Sequence, residues 1–366
     1  MDKKIKNIIV ALLCGAWVFG LALWGVLKPD GEISVSERRK LRQMPEINSE
    51  TLLNGSFMSD FEKYSADQFP LRESFRRIKS VGEYYVFRQL DSNNIYLYKG
   101  YASQLEYPLD TASIDNAAAK FRYLYDSYFK GADCNVYLSI IPDKNYFMAE
   151  EGGYPHLDFD ELIDSLTAQA DYAEYIDIFP TLDLSDYYRT DTHWRQEKLL
   201  DTANTLAEGL GVSLGLEYEE KELEVPFYGV YYGQSALPLS GEKVVYLWND
   251  MFDDVSVYNA ETNGYGGVYD LARANGTDPY EIYLSGPRSL MVIENPNAET
   301  DKELIIFRDS YGSSIAPLLI EAYSKITLID IRYLPSPMLG RYLKFDGADV
   351  LLLYSTLVLN NSVTFN

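Results

Sequence analysis

Near its N-terminus the chain has an apolar run, from Ile8 to Leu27, that carries no charged residue. At ~1.5 Å of rise per residue, a helix of this length reaches about 30 Å, the thickness of the hydrocarbon core of a bilayer. Lys3, Lys4 and Lys6 precede the run, so the positive-inside rule places the N-terminus in the cytoplasm and the rest of the chain outside it. We therefore predict a single-pass signal-anchor in the cell membrane. The alternative is a cleaved signal peptide, which the length of the run and the residues after it disfavour.

The pattern after the anchor is helical and then strand-like. Between positions 49 and 90 apolar residues recur at steps of three and four, with Pro70 separating two predicted helices. The sequence NNIYLYKGYASQLE predicts a hairpin that turns at Lys99 and Gly100. We divide the chain into a cytoplasmic tip and anchor (1–28), a juxtamembrane helical segment with a hairpin (29–110) and a larger domain (111–366).

In the larger domain, apolar strands alternate with helices. The strands are continuously apolar, which is typical of parallel strands buried on both faces. They are predicted over 135–142, 175–182, 303–307, 325–331 and 349–355. The helices are predicted over 114–129, 162–170, 194–210 and 314–323. This alternation indicates an α/β fold, a three-layer sandwich with a mainly parallel sheet.

A segment rich in Tyr, Gly and Asn, over 226–283, interrupts this alternation and predicts an insertion of short strands and loops. Its aromatic residues include Phe227, Tyr228, Tyr231, Tyr232, Tyr246, Trp248 and Tyr265. We expect them to form the rim of a glycan groove, because aromatic faces suit the apolar faces of sugar rings. The alternative is that they form a small core of the insertion itself.

The formal net charge of −23 restricts the partners of the chain. Lys3, Lys4, Lys6 and Lys28 against Asp2 give residues 1–28 a charge of +3, so the remainder carries −26. Such an acidic domain argues against nucleic acid as a partner, because phosphates are bound by Lys and Arg. It also favours neutral or amino-sugar glycans over polyuronates, since like charges repel at low salt.

The cysteines and the remaining motifs favour no metal and no cofactor. Cys14 lies in the anchor and Cys134 is alone outside it, so the domain can form neither an internal disulfide nor a cysteine-based zinc site. The chain has no phosphate-binding glycine loop and no HExxH motif. The acidic stretch 249–254 lacks the glycine and the spacing of a calcium loop.

The first candidate for chemistry is one of only two histidines. Asp191 and His193 are two positions apart, so their side chains point the same way in an extended segment. A carboxylate there can orient the imidazole and stabilise its protonated form. The alternative is an aspartate at a helix start beside an incidental histidine.

The second candidate is Ser310, in a small-residue turn between an apolar strand and a helix. This places the serine at the carboxyl end of a strand, where ligands bind in open α/β sheets. Amides at the start of the following helix can stabilise an oxyanion. The alternative is an ordinary serine cap of the helix. Together, Ser310, His193 and Asp191 supply a nucleophile, a base and an orienting group.

These motifs resemble a known family. Asp191-Thr192-His193-Trp194, followed much later by Asp309-Ser310-Tyr311 after an apolar strand, resembles the DHHW family of bacterial surface proteins and the related alginate O-acetyltransferases with SGNH-hydrolase-like folds. The stretches SERRKL and DQFPLR are also similar to DHHW proteins. The resemblance implies an SGNH-hydrolase-like sandwich, with Ser310 as nucleophile, His193 as base and Asp191 as orienting residue. It further implies O-acetyl transfer to a polysaccharide and a membrane-bound O-acyltransferase as donor.

Two positions depart from the family pattern. Thr192 stands where the DHHW motif has its second His, as in the alginate group, and Arg308 stands where a glycine usually precedes Asp-Ser. The oxyanion donors are not evident, with Asn360, Asn361 and the segment 233–235 as candidates. As substrate-binding residues we expect Tyr231, Tyr232, Trp194 and Arg308.

The sequence leaves two classes of function open. The first is a Ser-His-Asp O-acyltransferase or esterase that acts on an exported or cell-wall polysaccharide. The second is a non-catalytic glycan-binding or scaffold protein of a polysaccharide-modification complex. Hydrogen bonds that join Ser310, His193 and Asp191 favour the enzyme, whereas scattered side chains favour the binding protein.

Overall fold

A computed structural model describes residues 3–366 of the chain. Its first element, α1 (Lys3–Leu27), is a helix with no buried side chain. Among the described residues it is the one helix long and apolar enough to cross a membrane, with a mean hydropathy of 2.2. The predicted N-terminal apolar helix is therefore present.

The chain forms two compact units. The first comprises residues up to Asn93 together with Tyr232–Pro238, and the second comprises Asn94–Tyr231 and Leu239–Asn366. The residues of the predicted hairpin lie in the second unit. After α1, the elements of the first unit are β1 (Ile33–Ser34), β2 (Arg39–Lys40), α2 (Ser49–Leu53), α3 (Ser56–Asp67) and α4 (Arg72–Val81).

Ion pairs hold the first unit together. The Arg39 guanidinium donates to both carboxylate oxygens of Asp67, at 2.8 and 2.7 Å, and this bond lowers the pKa of Asp67 to about 2. Glu37 pairs with Arg72 at 2.6 Å and with Arg76 at 3.2 Å. These residues come from the SERRKL and DQFPLR stretches and from the start of α4. The two stretches therefore meet as one network of charge-assisted hydrogen bonds.

The second unit contains the remaining elements. Its strands are β3 (Ile95–Tyr98), β4 (Tyr101–Gln104), β5 (Asn135–Ile141), β6 (Glu174–Tyr175), β7 (Glu219–Glu222), β8 (Val245–Trp248), β9 (Ser256–Asn259), β10 (Gly264–Gly266), β11 (Leu290–Glu294), β12 (Glu303–Arg308), β13 (Lys325–Ile329) and β14 (Ala348–Ser355). Its helices are α5 (Thr111–Leu124), α6 (Asn145–Gly152), α7 (Phe159–Gln169), α8 (Leu200–Gly209), α9 (Val230–Ser235, which runs on into the first unit), α10 (Gly312–Ile315) and α11 (Thr356–Leu359).

One eight-stranded sheet organises this unit, in the order β10-β9-β11-β13-β12-β14-β5-β6. The five strands from β13 to β6 are parallel, and β10, β9 and β11 extend the sheet in antiparallel fashion. Side chains alternate between the two faces of each strand. Accordingly, Leu304 and Ile306 of β12 pack into the core on one face, and Ile305 and Phe307 pack into the core on the other.

The predicted fold class is confirmed: the unit is α/β with a mainly parallel sheet. The hairpin is β3 and β4, which turn at Lys99 and Gly100. Helices α5 and α7 and strands β5, β12, β13 and β14 match their predictions. The predicted short strands within 226–283 are β8, β9 and β10, but β9 and β10 also join the main sheet, and the prediction missed β11 beside them.

Three predicted elements are shorter than expected, each for a local reason. The strand predicted over 175–182 ends at Tyr175, because Pro180 lies in a 3-10 turn at Phe179–Thr181. The helix predicted over 194–210 begins only at Leu200, as Trp194 instead forms a β-bridge with Tyr187. The helix predicted over 314–323 splits into α10 and a 3-10 helix that contains Pro317.

Truncating the central sheet should destabilise the unit strongly. Leu351 of β14 is fully buried, and Leu→Ala in such a position costs about 2–5 kcal/mol through lost transfer energy and the cavity left behind. Leu200, at the exposed start of α8, is the matched control. We expect Leu351→Ala to lower the urea midpoint far more than Leu200→Ala, and equal midpoints would contradict the assigned core.

Candidate active site

Ser310 lies in the turn that follows β12, and Asp309 holds this turn in place. The buried Asp309 carboxylate accepts the Tyr311 amide at 3.0 Å and the Ser355 amide, at the end of β14, at 2.8 Å. The turn is therefore tied to two adjacent parallel strands at their carboxyl ends. This is the position that the strand-turn-helix pattern predicted for the serine.

The structure brings Ser310, His193 and Asp191 together. Nε2 of His193 lies 2.8 Å from Oγ of Ser310, and Nδ1 lies 2.6 Å from Oδ1 of Asp191. An ionised carboxylate only accepts hydrogen bonds, so Nδ1 carries the proton and Nε2 is free to accept from the serine hydroxyl. The serine hydroxyl, the imidazole and the aspartate carboxylate are thus joined in a row.

Asp191 is completely buried, and backbone amides compensate for that burial. Its Oδ1 also accepts the His193 amide at 3.2 Å, and its Oδ2 accepts the Val230 amide at 2.8 Å. The side chains of Asp191 and His193 lie on the same side of the backbone because residues 187–194 form a turn. A β-bridge between Tyr187 and Trp194 closes this turn. The turn is not the extended segment that the sequence suggested.

Lys144 ties this turn to the hairpin. It follows β5, is buried, and its Nζ donates to the Ala102 carbonyl at 2.5 Å and to the Tyr188 carbonyl at 2.9 Å. The Ala102 amide in turn donates to the Arg189 carbonyl at 2.7 Å. Burial lowers the pKa of Lys144 to about 7, against a raising effect from Asp191. Its place directly after a parallel strand is the one signal in the sequence that could have identified Lys144.

Two expected substrate-binding residues are buried supports of the site. Trp194 is fully buried and donates from Nε1 to Oγ of Ser314 at 2.8 Å. Arg308 is also fully buried, and burial lowers its pKa. Its side chain lies against Gly312, where an added Cβ would meet the Arg308 Cβ at 2.6 Å. The structure therefore corrects the expectation that Trp194 and Arg308 touch the substrate.

The expected aromatic rim is also corrected. Phe227, Tyr231 and Tyr246 are buried, and two of them belong to a small core shared with Tyr280 and Tyr283. Tyr231 packs instead against Ile95 and Ala102 of the hairpin. Tyr232 belongs to the first unit, where Arg77 donates to its hydroxyl. Phe227 and Tyr246 thus form part of an interior core, while Tyr228 and Tyr265 stay exposed.

The expected oxyanion donors have other roles. Helix α10 is a single turn whose amides at Gly312 and Ser313 donate back to the carbonyls of Asp309 and Ser310. The Asn360 side chain accepts the Asp110 amide at 2.7 Å and donates to Glu106 at 2.8 Å. The segment Gly233–Ser235 lies in the first unit. The amides of Gly312 and Ser313 and the side chain of Asn360 are therefore engaged in contacts within the fold.

No protein-family model matches the chain, and no curated protein matches it either. Solved structures do match. A DHHW family protein from Eubacterium siraeum superposes with a TM-score of 0.59 at 19% identity, over 75% of this chain and 94% of that one. PatB1 of Bacillus cereus superposes with a TM-score of 0.57 at 18% identity, over 72% and 96%.

PatB1 has also been solved with a sulfonyl adduct, and that structure matches with a TM-score of 0.56. The O-acetyltransferase domain of Pseudomonas putida AlgJ is more distant, with a TM-score of 0.46 at 13% identity, over 73% of this chain and 92% of that one. The chain therefore has the fold of a DHHW family protein, as the resemblance of its motifs predicted.

The buried Lys144 predicts a pH dependence of stability. Its pKa is about 7 in the folded chain against 10.5 when unfolded, so between these values the unfolded state binds more protons and stability rises with pH. Lys144→Met lacks this proton linkage. We therefore expect its stability relative to the parent chain to fall from pH 7 to 10 in urea titrations.

The exposed Lys302 provides the control. We expect the fall in relative stability between pH 7 and 10 to be larger for Lys144→Met than for Lys302→Met. A pH-independent difference for Lys144→Met would contradict the burial of a titrating ammonium beside the site.

Proposed function

We propose that the chain is a membrane-anchored Ser-His-Asp O-acyltransferase or esterase that acts on a polysaccharide. The observation that carries the proposal is the continuous row of hydrogen bonds, 2.8 Å from Ser310 to His193 and 2.6 Å from His193 to Asp191. A non-catalytic binding protein has no need of this geometry. The row supports the enzyme over the scaffold alternative.

The geometry allows a two-step acyl transfer. Ser310 Oγ attacks the acyl carbonyl of a donor ester while its proton passes to Nε2 of His193. The imidazolium, stabilised by Asp191, then gives that proton to the departing alkoxide, which leaves an acyl-serine. In the second step His193 takes a proton from a sugar hydroxyl or from water, and that oxygen attacks the acyl carbonyl. The bond from the acyl carbon to Ser310 Oγ then breaks, and the imidazolium returns the proton to Oγ, which restores Ser310 and His193.

Four observations support the proposed acyl transfer to a glycan. The motifs DTHW and DSY resemble those of the alginate O-acetyltransferases, and the fold matches a DHHW family protein. PatB1, which shares the fold, carries a sulfonyl adduct in one structure. The charge of −26 beyond residue 28 favours a neutral or amino-sugar polymer. A membrane-bound O-acyltransferase is the proposed source of the acyl group.

The catalytic assignment predicts a steep and non-additive loss of activity. Ser310→Ala and His193→Ala should each lower ester turnover by about 10⁴ to 10⁶-fold, and the double variant should be hardly worse, because members of a triad act as a unit. Asp191→Asn should lose somewhat less. Turnover of an acetyl ester and thermal melting are measured together. Full activity in Ser310→Ala with an unchanged melting curve would exclude the serine mechanism.

The anchor assignment predicts the topology. Helix α1 begins with Lys3, Lys4 and Lys6 and continues as an apolar run, so residues from about Pro29 onward should lie outside the cytoplasm. Protease added to intact cells should remove a C-terminal tag, while a tag before Lys3 should survive until lysis. Protection of the C-terminal tag in intact cells would reverse the orientation.

A further inference from the structure

We infer that Tyr280 is a positioning residue for His193, and that the Tyr-rich insertion serves to assemble the base. The inference rests on the proposed function. The Tyr280 ring is stacked on the imidazole, with ring centroids 4.0 Å apart and planes inclined by 10°. Tyr280 is only 4% exposed, so it belongs to the packed interior and not to the substrate surface.

The Tyr280 ring is itself fixed at its polar end. Its hydroxyl lies 2.7 Å from Oγ of Ser314. The Ser314 hydroxyl also accepts from Nε1 of Trp194 at 2.8 Å and lies 3.2 Å from the Tyr311 carbonyl. A hydroxyl has one proton and two lone pairs, so donating to the carbonyl while accepting from Trp194 and Tyr280 satisfies Ser314 completely.

The stacking of Tyr280 on His193 prevents a tilt of the imidazole ring that the hydrogen bond to Asp191 alone would allow. One hydrogen bond at Nδ1 fixes an edge of the imidazole but allows the ring to tilt about that edge, which would swing Nε2 away from Ser310. Tyr280 covers one face of the ring, and Tyr311 lies at 5.1 Å with planes inclined by 56°. The ring is thereby held in the plane that aims Nε2 at the serine.

Both ends of the insertion act on the same pair of residues. Near its start, the Val230 amide donates to Asp191 Oδ2 at 2.8 Å, and near its end Tyr280 covers His193. An aromatic face also attracts positive charge, so Tyr280 stabilises the imidazolium that forms when Ser310 gives up its proton. The insertion thus holds the orienting carboxylate at one end and the base at the other.

Two substitutions of Tyr280 distinguish the effect of its ring on activity from the effect of its hydroxyl. Tyr280→Leu removes the flat ring, and we expect kcat for an acetyl ester to fall by about 10- to 100-fold with KM unchanged, as a misaimed base costs roughly this much. Tyr280→Phe keeps the ring and should restore kcat to within about threefold. Phe227→Leu is the control, because Phe227 is an aromatic residue that is fully buried in the same small core as Tyr280.

A second measurement reports on the ring directly and needs no activity. The chain has two histidines, so side-chain NMR with labelled histidine resolves His193 from His156. The face of Tyr280 should move the His193 ring protons upfield, and Tyr280→Leu should abolish that shift while Tyr280→Phe and Phe227→Leu retain it. His156 should be unaffected in every variant.

The outcomes distinguish the two proposals. If Ser310→Ala is fully active, the proposed function fails, yet the NMR shift still tests the position of the ring. If Tyr280→Leu turns over as fast as Phe227→Leu at equal melting temperature, the positioning role is overturned. A loss in Tyr280→Leu that Tyr280→Phe shares equally would also overturn it, because the effect would then come from the hydroxyl.

Discussion

The site depends on one constraint, which is that a completely buried carboxylate must be compensated by hydrogen-bond donors. Asp191 meets this constraint through the imidazole at 2.6 Å and the Val230 amide at 2.8 Å. To supply these donors, the chain must fold the Tyr187–Trp194 turn and bring the Tyr-rich insertion against it. The orientation of His193 toward Ser310 follows from the same contacts, so the stability of this turn and the geometry of the site are coupled.

Tyrosines connect the packed core to the irregular loops of the site. The chain has 32 of them, and several bury the ring while the hydroxyl donates to a backbone carbonyl of another segment. Tyr187 reaches Pro142 at 2.6 Å, Tyr311 reaches Thr192 at 2.7 Å and Tyr283 reaches Val245 at 2.8 Å. Each such residue satisfies a buried carbonyl and adds apolar area at once. The domain thereby fixes long loops without an internal disulfide.

The sequence predicted the parallel strands and the three central residues because both signals are local. Buried parallel strands are continuous apolar runs, as in β5 and β14, and only two histidines compete for the role of base. Contacts distant in sequence were not predictable in this way. Lys144, Tyr280 and the pairing of β9 with β11 depend on packing between remote segments. The same reason explains why Trp194 and Arg308, which looked like substrate contacts, are buried supports.

The central claim is that Ser310 is a nucleophile activated by His193. The most direct test treats the full chain with a fluorophosphonate and maps the modified residue by mass spectrometry. We predict one covalent adduct on Ser310, formed slowly or not at all in His193→Ala, because the serine then lacks its base. An unmodified Ser310 in folded protein, or labelling at the same rate in His193→Ala, would contradict it.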